Sequence, residues 1–173
     1  MDQSPTIVNT NHHEAGPAGP DAGTRLRIAF IQACWHRDIV DRCREGFLAE
    51  WQARGRDAGE IEVHEVPGSF EIPLLAQHLT ASGRWDAVVA TGFIVDGGIY
   101  RHDFVARAVI DGLMRVQLDS QVPVLSAVLT PHAFHEHDVH RGFFAEHFVT
   151  KGREAATACL ATVAMLDRVK MAA

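Results

Sequence analysis

Residues 85–95 read WDAVVATGFIV, a run that is apolar at almost every position and suits a buried strand. The run leads through DGGIYRH, residues 96–102, into DFVARAVIDGLMRVQL, residues 103–118. Four apolar residues recur in that segment at helical spacing: Val105, Val109, Leu113 and Val116. A strand that is apolar throughout is covered on both faces, which predicts a parallel sheet between layers of helices.

The same alternation of short apolar runs and amphipathic segments extends along the chain. Predicted strands cover residues 26–33, 61–67, 85–95 and 122–130. Predicted helices cover residues 38–55, 69–83, 103–118 and 152–169, and a polar, histidine-rich connection precedes the last one. The order βαβαβαβα predicts an α/β fold, a three-layer α/β/α sandwich around a central four-stranded parallel sheet.

Length and composition predict the organisation of the chain. The 173 residues, 47% of them hydrophobic, suit one domain, which we place at residues 25–173. Residues 1–24 are rich in Pro, Gly, Asn and His, which predicts a flexible N-terminal tail. That segment lacks the basic and apolar regions of a secretory signal.

Charge and cysteine content narrow the class of protein. The net charge of −6 argues against a nucleic-acid partner, which would require a basic surface. No apolar run reaches the roughly 18 residues of a membrane span, so we expect no membrane partner. The cysteines, Cys34, Cys43 and Cys159, lack metal-type spacing and predict reduced thiols in a cytoplasmic protein.

Every unusual polar cluster follows a predicted strand. The clusters occupy residues 32–37, 67–71, 94–103 and 130–140. In parallel sheets of this kind, ligands bind outside the carboxyl ends of the strands. The sequence therefore predicts a small-molecule site at that edge.

The loop after the third predicted strand, residues 94–103, favours an anion. Gly97 and Gly98 let backbone N–H groups approach a ligand at a helix N-terminus. Their spacing matches no nucleotide-binding fingerprint, and a tight turn with polar capping is the alternative. Arg101 at a helix start is unfavourable unless an anion or a carboxylate is near.

Two other clusters leave alternatives open. Trp35 could stack on a flat heterocycle or pack at the rim of the site. In the second cluster, Glu71 could bind a polar ring edge, or Ser69 could cap a helix whose first turn favours Glu71.

The histidine-rich segment permits two interpretations. The segment contains His132, His135, His137, His140 and His147, which suggest a metal site, but their spacing matches no metal-binding motif. The alternative is that the imidazoles serve as hydrogen-bond donors.

Five segments together resemble the 6,7-dimethyl-8-ribityllumazine synthase family: FIQACWHRDIVD, VPGSFEIPLLA, GFIVDGGIYRHDFV, VPVLSAVLTP and TKGREAA. The resemblance covers residues 25–168 and implies a flavodoxin-like fold. It implies a transferase of riboflavin biosynthesis that condenses 5-amino-6-(D-ribitylamino)uracil with 3,4-dihydroxy-2-butanone 4-phosphate and uses no metal and no cofactor. The amine attacks the ketone to form a Schiff base, phosphate leaves, and the ring closes with loss of water.

The resemblance also implies roles for individual residues. Trp35 would stack on the pyrimidine, and Glu71 would bind ribityl hydroxyls. Other residues implied in binding the pyrimidine substrate are Ser69, Phe70, Phe93, Ile94, Val95 and, at the end of the fourth strand, Ser126. The phosphate of the ketone would be bound by Gly98 and Ile99.

The sequence departs from the family pattern at two positions. Arg101 stands where the family has its proton-carrying His, and His102 follows it. His140 stands where the family has a phosphate-binding Arg. Because a guanidinium stays protonated, we expect Arg101 to stabilise charge while His102 or His140 moves protons.

The resemblance implies a homo-oligomer built from pentamers, as a single pentamer or a larger assembly such as a decamer, with sites shared between subunits. The apolar RGFFAEHF, residues 141–148, is the one hint of an interface in the sequence itself. A protein that binds riboflavin or a lumazine with little turnover is the main alternative. A flavodoxin-like electron carrier would need a Ser/Thr-rich phosphate loop after the first strand, which QACWHR lacks.

Overall fold

The computed structural model describes residues 24–98 and 101–172. The strands are β1 (Ile28–Ala33), β2 (Ile61–Val66), β3 (Ala87–Phe93) and β4 (Val124–Leu129). The helices are α1 (Arg37–Ala53), α2 (Ile72–Ala81), α3 (His102–Ser120) and α4 (Asp138–Ala172). Apart from Thr24, the expected tail at residues 1–24 lies outside the described residues.

The four strands form one parallel sheet in the order β2-β1-β3-β4. β1 and β3 are central and buried along their whole length. One face packs against α1 and α4, and the other packs against α2 and α3. The predicted α/β sandwich with a four-stranded parallel sheet is confirmed.

The two outer strands differ from the central pair. β2 leaves Glu62, Val63 and Glu65 exposed, and β4 leaves Ser126 exposed. An edge strand has a neighbour on one side only, so its side chains can reach solvent.

The last helix begins earlier than the sequence pattern indicated. We expected it to start at Gly152, after a polar connection, but α4 already begins at Asp138. Phe144 and Phe148 anchor its first half, because their rings lie 5.0 and 5.5 Å from the ring of Phe93 at the end of β3. Gly152 lies inside the helix and does not mark its start.

The reason for a glycine at position 152 is the crossing of α1 and α4. A Cβ atom on Gly152 would collide with the backbone carbonyl oxygen of Cys43 in α1. A Cβ atom on Gly46 would collide in the same way with the carbonyl oxygen of Val149 in α4. The two helices therefore touch backbone to backbone. Among the described helices, none is both long and apolar enough to span a membrane.

We predict that Gly152→Ala destabilises the protein by about 1–3 kcal/mol, because the added methyl group overpacks the helix crossing. The matched control is Gly142→Ala in the same helix, where a Cβ atom meets no other atom within 4 Å. There the better helix propensity of alanine should raise the free energy of unfolding by about 0.5–1 kcal/mol. Urea unfolding of the three proteins measures both effects, and equal behaviour of the two variants would contradict the packing argument.

Candidate active site

A cavity of about 680 Å³ opens at the carboxyl end of the sheet. Three of the four predicted polar loops contribute to its wall, together with the first turn of α3. The lining residues are Trp35, His36, Gly68, Ser69, Phe70, Glu71, Phe93, Ile94, Val95, Gly97, His102 and Val105. The structure thus brings together the sequence-predicted residues Trp35, Ser69–Glu71, Phe93–Val95 and His102.

Trp35, the residue predicted to stack on a ring, stands beside a glycine of the second loop. Its side chain is 68% exposed at the cavity. A Cβ atom on Gly68 would lie 3.8 Å from Cε2 of the indole and 3.2 Å from Oε2 of Glu71. Gly68 therefore lets the indole and the carboxylate approach the same point of the chain.

The second loop forms a tight turn at Ser69–Glu71 that leads into α2. Glu71 Oε2 accepts a hydrogen bond of 2.9 Å from the backbone N–H of Gly68, so Glu71 caps this turn. Ser69 is buried against β3, where a Cβ atom on Gly92 would lie 2.5 Å from the Ser69 hydroxyl oxygen. Phe70 points outward and is 64% exposed. The loop is thus fixed on the sheet with its aromatic residue at the mouth of the cavity.

The third loop continues from β3. The N–H of Ile94 donates to the carbonyl oxygen of Leu129 at 2.9 Å, which extends the pairing with β4 beyond the strand. Gly98 has φ of 73°, a left-handed conformation that favours glycine. Its N–H donates to Asp96 Oδ1 at 2.9 Å, and Gly98 is not among the lining residues. Ile99, the other residue predicted to bind phosphate, lies outside the described residues.

Arg101 and His102 take different positions at the start of α3. His102 lines the cavity, whereas the Arg101 side chain is 70% exposed. Arg101 Nη2 donates to Asp103 Oδ2 at 2.8 Å, and the guanidinium lies 4.1 Å from the ring centre of Phe104. The hydrogen bond from Arg101 lowers the pKa of Asp103. Asp103 is therefore the carboxylate that the position of Arg101 at a helix start requires.

Besides Gly98 and Arg101, two more predicted residues, Ser126 and His140, do not line this cavity. Ser126 lies in the middle of the edge strand β4, not at its end as we expected, and its side chain is exposed. His140 lies in the first turn of α4, where its Nδ1 accepts a hydrogen bond of 3.3 Å from the N–H of His135. The ring of His140 is 5.4 Å from that of His135, yet no group of three or more His, Cys, Asp or Glu side chains within residues 24–98 and 101–172 is placed to hold a metal ion.

Sequence reasoning did not assign a role to His36 or Val105, which also line the cavity. His36 directly follows Trp35, so its place at the carboxyl end of β1 was a usable signal. Val105 was predicted as part of the buried face of α3. It lies on the first turn of that helix, which borders the cavity.

Comparisons with known proteins agree with this geometry. The family model described as 6,7-dimethyl-8-ribityllumazine synthase matches residues 25–167. The chain belongs to this family. A protein from Rhodococcus erythropolis named 6,7-dimethyl-8-ribityllumazine synthase is 62% identical over 81% of this chain and 90% of its own length. One from Bradyrhizobium diazoefficiens named 6,7-dimethyl-8-ribityllumazine synthase 2 is 56% identical over 83% of this chain and 86% of its own length.

The identity extends to more distant members of the lumazine synthase family. A Streptomyces avermitilis protein with the family name is 38% identical over 90% of this chain and 96% of its own length. The resemblance inferred from the sequence is therefore confirmed, and so is the flavodoxin-like fold that it implied.

The cysteines of this family member occupy two kinds of environment. Cys34 is half-buried directly after β1, where its Sγ accepts a hydrogen bond of 3.1 Å from Arg37 Nη2. Arg37 also forms two hydrogen bonds, of 2.8 and 2.7 Å, to the carboxylate of Glu65, which lower the pKa of Glu65. Burial raises the pKa of Cys43 to about 11 and that of Cys159 to about 12.

We predict that a thiol reagent applied at pH 8 to the native protein modifies Cys34 alone. Cys43 and Cys159 stay protonated at this pH because their pKa values lie well above it, and the reactive species is the thiolate. Titration with a chromogenic disulfide should count one fast thiol in the native protein and all of them in denaturant. The Cys34→Ser variant should lose the fast reaction, and a fast thiol that remains in it would contradict this prediction.

Proposed function

We propose that the protein catalyses the condensation of 5-amino-6-(D-ribitylamino)uracil with 3,4-dihydroxy-2-butanone 4-phosphate, which forms 6,7-dimethyl-8-ribityllumazine and releases phosphate and water. Membership of the family supports this reaction. The observation that carries the proposal is one cavity that collects the segments around Trp35, Ser69–Glu71 and Phe93–Val95. Binding without turnover is not favoured, because the curated relatives are named as synthases.

In this proposal the pyrimidine lies against the indole of Trp35. The large exposed indole offers a flat apolar face for stacking. Phe93, Ile94 and Val95 contact the ring edge at the end of β3. Ser69, Phe70 and Glu71 bind the ribityl side, and the carboxylate of Glu71 accepts hydrogen bonds from hydroxyl groups. The site then holds one reactant rigidly beside the other, which is itself a large source of rate acceleration.

The phosphate of the ketone is assigned to the turn at Gly98 and Ile99, with His140 as a further ligand. The N-terminus of α3 follows this turn, and its dipole attracts an anion. Arg101 is close in sequence and carries a permanent positive charge. For the guanidinium to reach the phosphate, it has to leave its partner Asp103, so substrate binding would replace one anion by another.

We propose that protons move through imidazole groups. Arg101 is a poor proton carrier because its guanidinium stays protonated. His102 on the cavity wall and His140 on α4 carry imidazoles, the side chain that most often serves as a general acid or base.

We also propose that the chain assembles into pentamers, alone or in larger assemblies such as decamers. The outer face of α2 and α3, with the turn that precedes α2, supports this, because it exposes large apolar side chains: Phe70, Leu74, Phe104, Met114 and Leu118. Such a patch marks an interaction surface. The segment 141–148 was the hint of an interface in the sequence. It contributes Phe148 to the core and exposes Phe143.

The assembly would also explain the position of Ser126. Its side chain is exposed on an edge strand and does not line the cavity of its own chain. We propose that it reaches the site of the adjacent subunit. The free thiols Cys34, Cys43 and Cys159 are typical of a reducing compartment, which supports a cytoplasmic location.

Mixing the purified protein with both substrates tests the proposed reaction. Lumazine absorbance should rise faster than in a mixture without protein. A rate equal to the uncatalysed one, together with tight binding of riboflavin, would favour the binding protein instead.

In the same assay, Arg101→Ala should raise the KM for the ketone phosphate about tenfold, the effect of losing roughly 1.4 kcal/mol from one charged hydrogen bond. His140→Ala should mainly change the pH profile of the rate. Arg107→Ala is the matched control, because Arg107 lies on α3 with an 83% exposed side chain paired to Asp111. Unchanged kinetics of Arg101→Ala would contradict the role assigned to Arg101.

We predict that Leu118→Glu splits the assembly into smaller species, because it places a charge on the apolar face of α3, where Leu118 is 67% exposed. Light scattering after size-exclusion chromatography measures the mass. Met165→Glu is the control, since Met165 is 47% exposed on α4 in the opposite layer. A wild-type protein that elutes as a monomer would contradict the proposed pentamer.

A further inference from the structure

His36 combines a cavity position with an unusual backbone conformation. It has φ of 52° and ψ of 46°, and within the described residues only Gln121 shares a positive φ outside glycine. The left-handed region is unfavourable for a residue that bears a side chain. Such strain persists where surrounding contacts enforce it, and it clusters at functional sites. The left-handed conformation of His36 is therefore a reason to look for a function of its imidazole.

The backbone and the ring of His36 are each held by several contacts. Its carbonyl oxygen accepts hydrogen bonds of 2.9 Å from the N–H groups of Ile39 and Val40, which begins α1. Its ring meets the rings of Phe93 and Phe134 edge-on, with centroids 5.6 and 5.4 Å away. Phe93 and Phe134 are themselves 5.0 Å apart. The imidazole is thus one member of a packed aromatic group with a side on the cavity.

The charged groups nearest to His36 on α1 are engaged elsewhere. Arg37 is bound to Glu65 of β2. Asp38 forms an ion pair with Arg141 of α4, the helix that packs beside the aromatic group.

The cavity wall offers few other titratable groups. Among its described lining residues they are Glu71 and His102. Glu71 holds the N–H of Gly68, and the loop that carries Phe134 adds the exposed His135 next to it in sequence. Of the two lining imidazoles, that of His36 is the one set between the rings of Phe93 and Phe134.

We propose that His36 is a proton carrier of the condensation, placed next to the stacked pyrimidine by the left-handed turn that follows Trp35. The inference rests on the proposed function. His36 supplies the titratable group that Arg101 cannot supply. It follows β1, which lies on the opposite side of β3 from β4.

The step that needs this group is the dehydration of the first adduct. The amine nitrogen forms a bond to the ketone carbon, and the carbonyl oxygen becomes a hydroxyl. When the C=N bond forms, the C–O bond breaks, the hydroxyl leaves as water with one added proton, and the nitrogen loses one proton. An imidazolium that donates the first proton and, as imidazole, accepts the second returns to its starting state. Acid–base groups of this kind contribute roughly 100-fold or more to a rate.

The test compares the kcat–pH profiles of the wild type and His36→Asn. Asparagine tolerates the left-handed conformation, so the turn is preserved, but its amide does not carry protons near neutral pH. We expect kcat to fall about 100-fold, with loss of the imidazole limb of the profile. The KM values for both substrates and the affinity for the product lumazine should stay within about threefold, since the stacking contact remains. In His36→Gly, added imidazole should restore part of kcat.

Two further variants make the result specific. His78→Asn, on the exposed face of α2, should behave as the wild type. His102→Asn tests the other imidazole on the wall, and the inference is overturned if it removes the pH limb while His36→Asn keeps it. A His36→Asn enzyme with the wild-type profile and kcat also overturns it. If the wild-type protein shows no turnover, the proposed function is overturned, and the role of His36 is overturned with it. If the wild-type protein is active, the kinetics of His36→Asn test the role of His36 alone.

Discussion

The backbone contact between α1 and α4 is the constraint on which the packing at the carboxyl end of the sheet, beside the cavity, depends. Gly46 and Gly152 bring the two helices so close that no side chain fits between them. This crossing holds α4 along the sheet, so its first half reaches the carboxyl end of β3. Phe144 and Phe148 then pack on Phe93 there, and Phe134 completes the group. The rear wall of the cavity is therefore a consequence of helix packing more than of loop conformation.

The front of the cavity depends on two other close approaches. Gly92 lets Ser69 lie directly on the backbone of β3, and Gly68 leaves room for Trp35 and Glu71. Both glycines act through the absence of a Cβ atom, so each joins a loop to a rigid strand. A site built in this way is preorganised, because its side chains extend from segments that the buried sheet already fixes. The parallel direction of the strands then brings these segments to one edge.

The same physics explains what the sequence could predict. The fold followed from apolar β1 and β3, because a strand buried on both faces has few alternatives. The loops that line the cavity followed from the carboxyl-edge rule. The start of α4 did not follow, since its first turns around His140 are polar, its first buried residue is Phe148, and Gly152 resembled a boundary. The position of His36 after Trp35 was a usable signal, but its left-handed conformation has no signature in one sequence. Ser126 was placed at a strand end although it lies within β4.

Arg101 provides a positive charge at the start of α3 but cannot transfer a proton. A cation at a helix N-terminus is unfavourable, and here Asp103 and the ring of Phe104 offset that cost. A guanidinium that is already paired in this way can exchange Asp103 for a phosphate at little cost in desolvation, since the side chain is largely exposed. It gains no ability to lose a proton. Our proposal therefore assigns proton transfer to other groups, and the cavity wall provides imidazoles from two different elements, β1 with its following turn and α3.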